Sequence, residues 1–157
     1  MEIVIKDPLA RYIAVKAREK GVSVEELLAS LLADELDRDD RVKLYIDLHE
    51  RLVAEAKDYM NKGDLIQAGE KLWGALCALL SAIAELRGWR HFSHRDYNDV
   101  VENLAAELGE PELSVMFASA ERLHANYYHG FLRPETFKVH ARAVMELMEK
   151  LRPLARA

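Results

Sequence analysis

The stretch from residue 65 to residue 86 is apolar on almost every side of a helix, and this feature restricts the fold more than any other. Large apolar side chains occur there at helical spacing, among them Leu72, Trp73, Leu76, Leu79, Leu80 and Ile83. A helix that lacks a polar face is stable in water only when other elements surround it. The sequence therefore predicts a central helix enclosed by further helices.

The chain after residue 40 supplies the surrounding helices. Apolar residues recur three and four positions apart, which is the period of a helix buried along one side. Capping residues such as Asp64 and Ser93 precede these segments, and glycines such as Gly63 and Gly109 end them. Seven glycines and four prolines in 157 residues agree with an all-α protein. We therefore predict an up-and-down bundle of about five helices over residues 41–155.

The front of the chain, residues 1–38, shows a different pattern. Residues 2–6 alternate between polar and β-branched side chains, which is typical of a short strand. Pro8 is placed to open a helix, and Ser23 with Glu26 predicts a capping box at the start of a second one. A lone strand needs an antiparallel partner, most simply the same strand of a second chain. The pattern predicts a strand-helix-helix arm and a homodimer through its strand.

This order of elements resembles the ribbon-helix-helix module, in whose DNA-binding members the outward strand side chains enter the major groove. Lys6 is the one basic side chain on the predicted outward face, beside Glu2 and Val4. Residues 1–40 hold six basic and ten acidic residues, a balance that opposes contact with phosphates. We therefore favour a dimerisation arm, with DNA binding through the ribbon as the alternative.

Composition excludes several classes of function. With 22 Lys and Arg against 27 Asp and Glu, the net charge is −5, so any nucleic-acid contact must depend on a local patch. Cys77 is the one cysteine, which excludes a disulfide framework and a cysteine cage for a metal, and we expect neither metal nor cofactor. The sequence shows no signal-peptide pattern and no long apolar span, so we expect a cytoplasmic protein without a membrane partner.

One polar stripe is a candidate catalytic site. At about 100° per residue, Arg122, Asn126 and His129 fall on one side of a predicted helix. The opposite side, which we interpret as the core side, carries Leu113, Met116, Phe117, Ala120, His124 and Tyr127. A guanidinium can stabilise the charge of a phosphate, and an imidazole can transfer a proton. The stripe is therefore a candidate for RNA chemistry, and the alternative is a set of surface or dimer-interface residues.

A second candidate surface lies at residues 89–95, where basic and aromatic side chains alternate before a predicted helix. Aromatic rings can stack on bases, and a helix N-terminus favours phosphate. Arg90, His94 and Arg95, together with Lys6 of the arm, are the candidate nucleic-acid contacts. The alternative is a loop and cap that closes one end of the bundle.

The spacing from Arg122 to His129 resembles the arginine–histidine signature of HEPN domains. Those domains are helical bundles, often dimeric, and many are metal-independent endoribonucleases. The resemblance implies that His129 would move a proton and that Arg122 would hold the phosphate. Active members commonly have a polar residue directly after the arginine, where this chain has Leu123. That departure weighs against catalysis.

Three longer strings resemble more specifically the archaeal PaREP family, which is usually placed beside HEPN domains. They are Gln67–Ala75, Ser93–Asp96 and Leu123–Phe131. The resemblance covers about residues 41–155 and implies an HEPN-like bundle.

Three functions remain open from the sequence. We favour a homodimeric, non-catalytic module that binds nucleotide or RNA, or a protein partner. The first alternative is a toxin-like, metal-independent endoribonuclease that uses Arg122 and His129. The second alternative is a DNA-binding regulator that acts through the N-terminal ribbon.

Overall fold

Seven α-helices follow one another along residues 1–156, the part of the chain that the computed structural model describes. Their bounds are α1 (Leu9–Lys20), α2 (Val24–Leu32), α3 (Arg38–Asn61), α4 (Leu65–Arg87), α5 (His94–Leu108), α6 (Glu112–His129) and α7 (Pro134–Leu151). Short 3₁₀ helices, Ala33–Glu35 and Arg152–Ala155, follow α2 and α7. The all-α class predicted from the sequence is confirmed.

Helix α4 lies at the centre, as its composition predicts. The Asp64 carboxylate caps it by accepting a hydrogen bond from the backbone N–H of Gln67 at 3.2 Å. Gly88 ends it in the left-handed conformation, with φ 70°. Every residue from Leu72 to Ala84 is buried, because α3, α5, α6 and α7 all pack against this helix. The prediction of an enclosed apolar helix is confirmed.

The predicted N-terminal strand is wrong. Residues 1–6 are exposed and form no strand, and no β-strand occurs anywhere in residues 1–156. A strand is stable only beside another strand, and alternation of side chains cannot supply that neighbour. The Lys6 carbonyl instead accepts a hydrogen bond from the Ala10 N–H at 3.1 Å, so the chain passes directly into α1. The strand-helix-helix arm, and the DNA-reading ribbon that depends on it, have no basis in the structure.

Helices α1 and α2 form a unit that we call the N-terminal hairpin (residues 9–32). Gly21 closes α1 with φ 67°, and the Ser23 hydroxyl caps α2 by accepting from the Glu26 N–H at 3.0 Å. Ala17 and Leu27 are buried in the common core, whereas most of α1 faces solvent. The hairpin therefore packs on the surface of the bundle and buries only a few of its residues there.

Among the described residues, no helix is both long enough and apolar enough to cross a membrane.

Candidate functional site

Two histidine–glutamate pairs lie on either side of Trp73, and we call these five residues the histidine cluster. His94, the first residue of α5, places Nε2 2.7 Å from Oε2 of Glu121 in α6. His124, in α6, places Nδ1 2.9 Å from Oε2 of Glu70 in α4. Three helices of the bundle therefore contribute to one arrangement.

Trp73 sets the separation of the two imidazoles. Its ring stacks on His124 with centroids 4.8 Å apart and an interplanar angle of 20°. On another side it contacts the His94 ring, at 5.1 Å between centroids. The two imidazole centroids lie 6.4 Å apart. Because Trp73 is completely buried, both histidines rest on a part of the core that cannot move easily.

The glutamates determine which imidazole nitrogen carries hydrogen. A carboxylate can only accept, so a neutral His124 donates from Nδ1 to Glu70 and keeps a lone pair on Nε2. By the same reasoning, a neutral His94 donates from Nε2 to Glu121 and keeps a lone pair on Nδ1. Each ring therefore has one nitrogen committed to a glutamate and one that can accept a proton.

The turn of the N-terminal hairpin covers His94. A Cβ atom on Gly21 would lie 2.9 Å from the His94 Cβ and 3.1 Å from its Nδ1. Only glycine fits this turn, because a larger residue would meet the imidazole and would also strain the backbone at φ 67°. The free nitrogen of His94 therefore faces the backbone of the hairpin rather than open solvent.

A cleft of about 390 Å³ opens between the hairpin and the bundle. Its wall includes Arg18, Gln67, Glu70, Lys71, Tyr127 and Tyr128. The Arg18 guanidinium lies 4.9 Å from the centre of the Tyr128 ring, and that ring meets the His124 ring edge-on at 5.3 Å. The cleft and the histidine cluster are therefore continuous through Glu70 and Tyr128.

Lys71 belongs to a chain of ion pairs at the edge of this cleft. Its ammonium lies 2.9 Å from Glu55, and Glu55 also pairs with Arg51 at 2.6 Å. Arg51 in turn pairs with Glu25 of the hairpin. This series of ion pairs joins α4 to α2 through α3. Lys71 therefore lies beside the cleft with its positive charge partly compensated by Glu55.

Glu26 lies inside the molecule, although the sequence predicts that its side chain completes a capping box with Ser23. Its carboxyl accepts hydrogen bonds from the Tyr97 hydroxyl at 3.1 Å and the Ser81 hydroxyl at 3.3 Å. The other oxygen, Oε1, is buried without a partner. Burial raises the pKa of Glu26 to about 7, against the two hydrogen bonds, which lower it. The Ser23 half of the predicted capping box therefore forms, whereas the Glu26 carboxyl bonds to side chains in the interior.

The predicted catalytic stripe is not one surface. Arg122 and His129 are exposed, and the Arg122 guanidinium lies 4.7 Å from the centre of the Phe131 ring. Asn126 is buried, and its Oδ1 accepts a hydrogen bond from the Leu132 N–H at 2.8 Å. The placement of Asn126 on the outer side was wrong, because the buried face of α6 continues from Ala120 through Leu123 to Asn126. Asn126 thus fixes the loop after α6, while catalytic roles for these residues remain predictions.

The predicted nucleic-acid contacts are also dispersed. Arg90 lies 3.8 Å from the carboxylate of Asp96, and Arg95 and Lys6 are exposed. His94 belongs to the histidine cluster. No side-chain contact within residues 1–156 joins any two of the four predicted residues.

The structure gives different positions to two residues that were assigned to the core. His124 is only partly buried and is bonded to Glu70, whereas Tyr127 is 38% exposed and lines the cleft. Within residues 1–156, no three His, Cys, Asp or Glu side chains lie close enough together to hold a metal ion. Cys77 is buried in α4, and burial raises its pKa well above the ordinary value, so its thiol stays protonated.

Sequence reasoning missed the histidine cluster, although a signal for it was present. Each of the three family-like strings supplies part of it: Gln67–Ala75 supplies Glu70 and Trp73, Ser93–Asp96 supplies His94, and Leu123–Phe131 supplies His124. Strings that are far apart in the chain and resemble one family are candidates for a common site. Their convergence on Trp73 is the structural reason to treat them together.

The fold and site define a class of protein: an all-α bundle with two histidine–glutamate pairs around a buried tryptophan, covered by a helical hairpin. A sequence profile of the Archaeal PaREP1/PaREP8 family matches residues 44–148, which run from α3 into α7. The chain belongs to this family, and the predicted PaREP resemblance is confirmed. Neither the curated proteins nor the solved structures contain a significant match to the chain.

Proposed function

We propose that the protein is a non-catalytic module that binds a nucleotide or the end of an RNA chain in the cleft between hairpin and bundle. The observation that carries the proposal is the wall of the cleft, where Tyr127 and Tyr128 stand beside Arg18 and Lys71. Tyrosine rings offer a stacking surface to a base, and the two cationic side chains offer charge to a phosphate.

The size and charge of the cleft support a short ligand. A volume of about 390 Å³ lies in the range of small-ligand sites. Glu25 and Glu70 lie on the same wall as the two cations, so the site lacks the continuous positive charge that a long polyanion needs. One base with one phosphate matches this mixture better than a long nucleic acid does.

The closed arrangement of the histidines supports binding without catalysis. The free nitrogen of His94 faces the turn at Gly21. The side chain of His124 is 12% exposed, and neither imidazole lines the cleft itself. A general base must come within hydrogen-bond reach of the proton that it removes, and neither imidazole reaches into the cleft where we place the ligand.

Calorimetric titration with adenosine and uridine monophosphates and with an RNA hexamer, at one fixed salt concentration, tests the proposal. Tyr128→Leu should weaken binding about tenfold, since a stacked base contributes about 1–3 kcal/mol. Tyr12→Leu is the matched control, because Tyr12 is exposed on α1 and lies outside the cleft. The proposal fails if wild-type protein binds none of these ligands, or if the two tyrosine variants bind equally well.

A second candidate function is HEPN-type, metal-independent RNA cleavage through Arg122 and His129. The exposure of both side chains on α6 favours it. They are seven positions apart in the sequence, which places them about 10 Å apart along the helix axis. One chain therefore cannot easily bring both to a single phosphate, and a second chain would have to supply one of them.

Incubation of labelled RNA with the protein in EDTA separates these two functions. We expect little or no cleavage by the wild-type protein. Robust cleavage that disappears in His129→Ala, and persists in the variant Tyr128→Leu, would replace the binding proposal with the nuclease.

The proposal includes self-association through the N-terminal segment. Ile3 and Val4 are 78% and 73% exposed, and Leu9 at the start of α1 is also exposed. Neighbouring exposed apolar side chains are typical of interaction surfaces. Deletion of residues 1–6 should shift the molar mass measured by light scattering from dimer to monomer. An unchanged mass, or a monomeric wild-type protein, would refute self-association through this segment.

A further inference from the structure

Besides its buried apolar side chains and the Glu25–Arg51 pair, the N-terminal hairpin contacts the bundle around the histidine cluster. Gly21 lies against His94, and Arg18 lies over Tyr128. Between these outer contacts, Glu26 extends from α2 into the interior and bonds to Ser81 of α4 and Tyr97 of α5. A single acidic side chain of the hairpin is therefore buried among helices of the bundle.

The surroundings of Glu26 suit a neutral carboxyl and not a carboxylate. Tyr45 of α3, Cys77 and Ser81 of α4 and Tyr97 of α5 are the groups that face it or influence its charge, and none of them is basic. Burial raises the pKa values of Tyr45, Cys77 and Tyr97, so these three groups stay neutral at every pH near 7. A buried carboxylate without a cation is strongly unfavourable.

The two hydrogen bonds to Glu26 favour its charged form, but the unpartnered second oxygen favours the neutral one, and burial outweighs the hydrogen bonds. Oε2 of Glu26 receives both hydroxyls, while Oε1 has no partner. The Tyr45 hydroxyl is also buried without a partner. An unpartnered oxygen that holds a proton costs less to bury than one that shares a negative charge.

The connection after α2 can act as a pivot. The Arg41 guanidinium donates to the Leu36 carbonyl at 2.6 Å and to the Ala33 carbonyl at 3.0 Å, and it is also paired with Glu85 at 2.9 Å. The segment that follows the hairpin is therefore fixed to the bundle independently of Glu26.

We propose that the N-terminal hairpin is a lid held shut by the neutral carboxyl of Glu26, and that ionisation of this carboxyl releases the hairpin from His94 and from Tyr128. This inference goes beyond the proposed function, because it concerns the movement of the hairpin whatever the cleft binds.

The closed hairpin favours the protonated form of Glu26, and this sets the direction in which pH shifts the opening equilibrium. In the closed state the pKa of Glu26 is about 7, and in an open, solvated state it returns to 4.5. The full preference for closure is therefore present below pH 4.5 and is lost as the pH rises to about 7. The opening equilibrium changes by up to about tenfold per pH unit in this range, or about 300-fold in total.

Hydrogen exchange tests the lid directly. Protection factors of α2 amides should fall as the pH rises from 5 to 7, whereas those of α4 should not fall. Glu26→Gln, which cannot ionise, should show α2 protection that is independent of pH. Glu19→Gln is the matched control on the same hairpin, because Glu19 is exposed and pairs only with Lys16, and it should behave as the wild type does.

If Glu26→Gln does not fold, the wild-type comparison still decides the test. The lid is refuted if α2 protection does not change with pH in the wild type. It is equally refuted if Glu26→Gln keeps the pH dependence, or if α4 loses protection in parallel.

Discussion

The N-terminal hairpin and the helical bundle differ in how deeply each is buried. Every residue of α4 from Leu72 to Ala84 is buried. In the hairpin, α1 buries Ala17, and α2 buries Glu26, Leu27 and Ala29. Because the free energy of burial grows with apolar area, the bundle holds most of the stability of the chain.

The family profile also separates the bundle from the hairpin. It matches residues 44–148 and does not include the hairpin. The bundle carries both histidine–glutamate pairs, while the hairpin adds Arg18 to the cleft and Gly21 to the cover over His94. The comparison teaches that one region carries both histidine–glutamate pairs and the other adds residues that lie around them. Regions with few buried contacts are also the ones that open most readily.

The largest expected effect is in the bundle. Trp73→Ala should lower the free energy of unfolding by about 3–5 kcal/mol, because it leaves a large cavity and removes the support of both imidazoles. Urea denaturation followed by circular dichroism measures this loss. Trp89→Ala, at a half-exposed position, should cost only about 1 kcal/mol. Similar losses in the two variants would contradict the central position of Trp73.

A glycine substitution tests whether the hairpin responds locally. Gly21→Ala should cost about 2–3 kcal/mol, since the new methyl group strains the backbone and meets His94. Gly63 has a similar positive φ, but a Cβ atom added there would have no neighbour within 4 Å. Gly63→Ala should therefore cost only about 1 kcal/mol, from backbone strain alone. Hydrogen exchange should show the Gly21→Ala loss in α1 and α2 alone. An equal cost at both positions would mean that the turn does not press on His94.

The smallest expected effect is a loss of bundle stability at low pH, which is opposite in sign to the effect of pH on the hairpin. His49 Nδ1 donates to the Ala75 carbonyl at 2.8 Å, and Nε2 accepts from Arg152 at 3.1 Å. Burial lowers the pKa of His49 from 6.5, so the bundle should lose stability as the pH falls below 6.5. Thermal denaturation of the Glu26→Gln variant between pH 7 and pH 5 measures this change, because that variant lacks the opposite contribution of Glu26. His49→Gln should reduce the acid sensitivity, and His129→Gln, at an exposed position, should not.

Local features were predicted well from the sequence. The apolar surface of α4, the caps at Asp64 and Ser93 and the glycine at the end of α5 each depend on residues within a few positions of one another. The PaREP resemblance also came from short strings. Such features need no knowledge of which helices meet.

The failures share a physical cause. Residues 2–6 have the side-chain pattern of a strand, but pairing depends on a second segment that the chain does not supply. Asn126 was placed outside because a helix has no sharp edge between its faces, and a loop N–H from Leu132 satisfied the amide inside. The Glu26 backbone N–H donates to Ser23 as the capping box predicts, but its carboxyl bonds to a distant partner, Tyr97, that only the folded chain reveals.

The bonds from Arg41 to the segment after α2 have a kinetic consequence. A hairpin that leaves the bundle stays joined to it by the polypeptide itself, so its return is an intramolecular reaction, and the Arg41 bonds shorten the tether to the few residues after α2. Its effective concentration at the docking site is set by the tether and not by the concentration of the protein. The rate of closure should therefore not depend on protein concentration. A ligand must compete with a hairpin that stays near its docking site at every protein concentration.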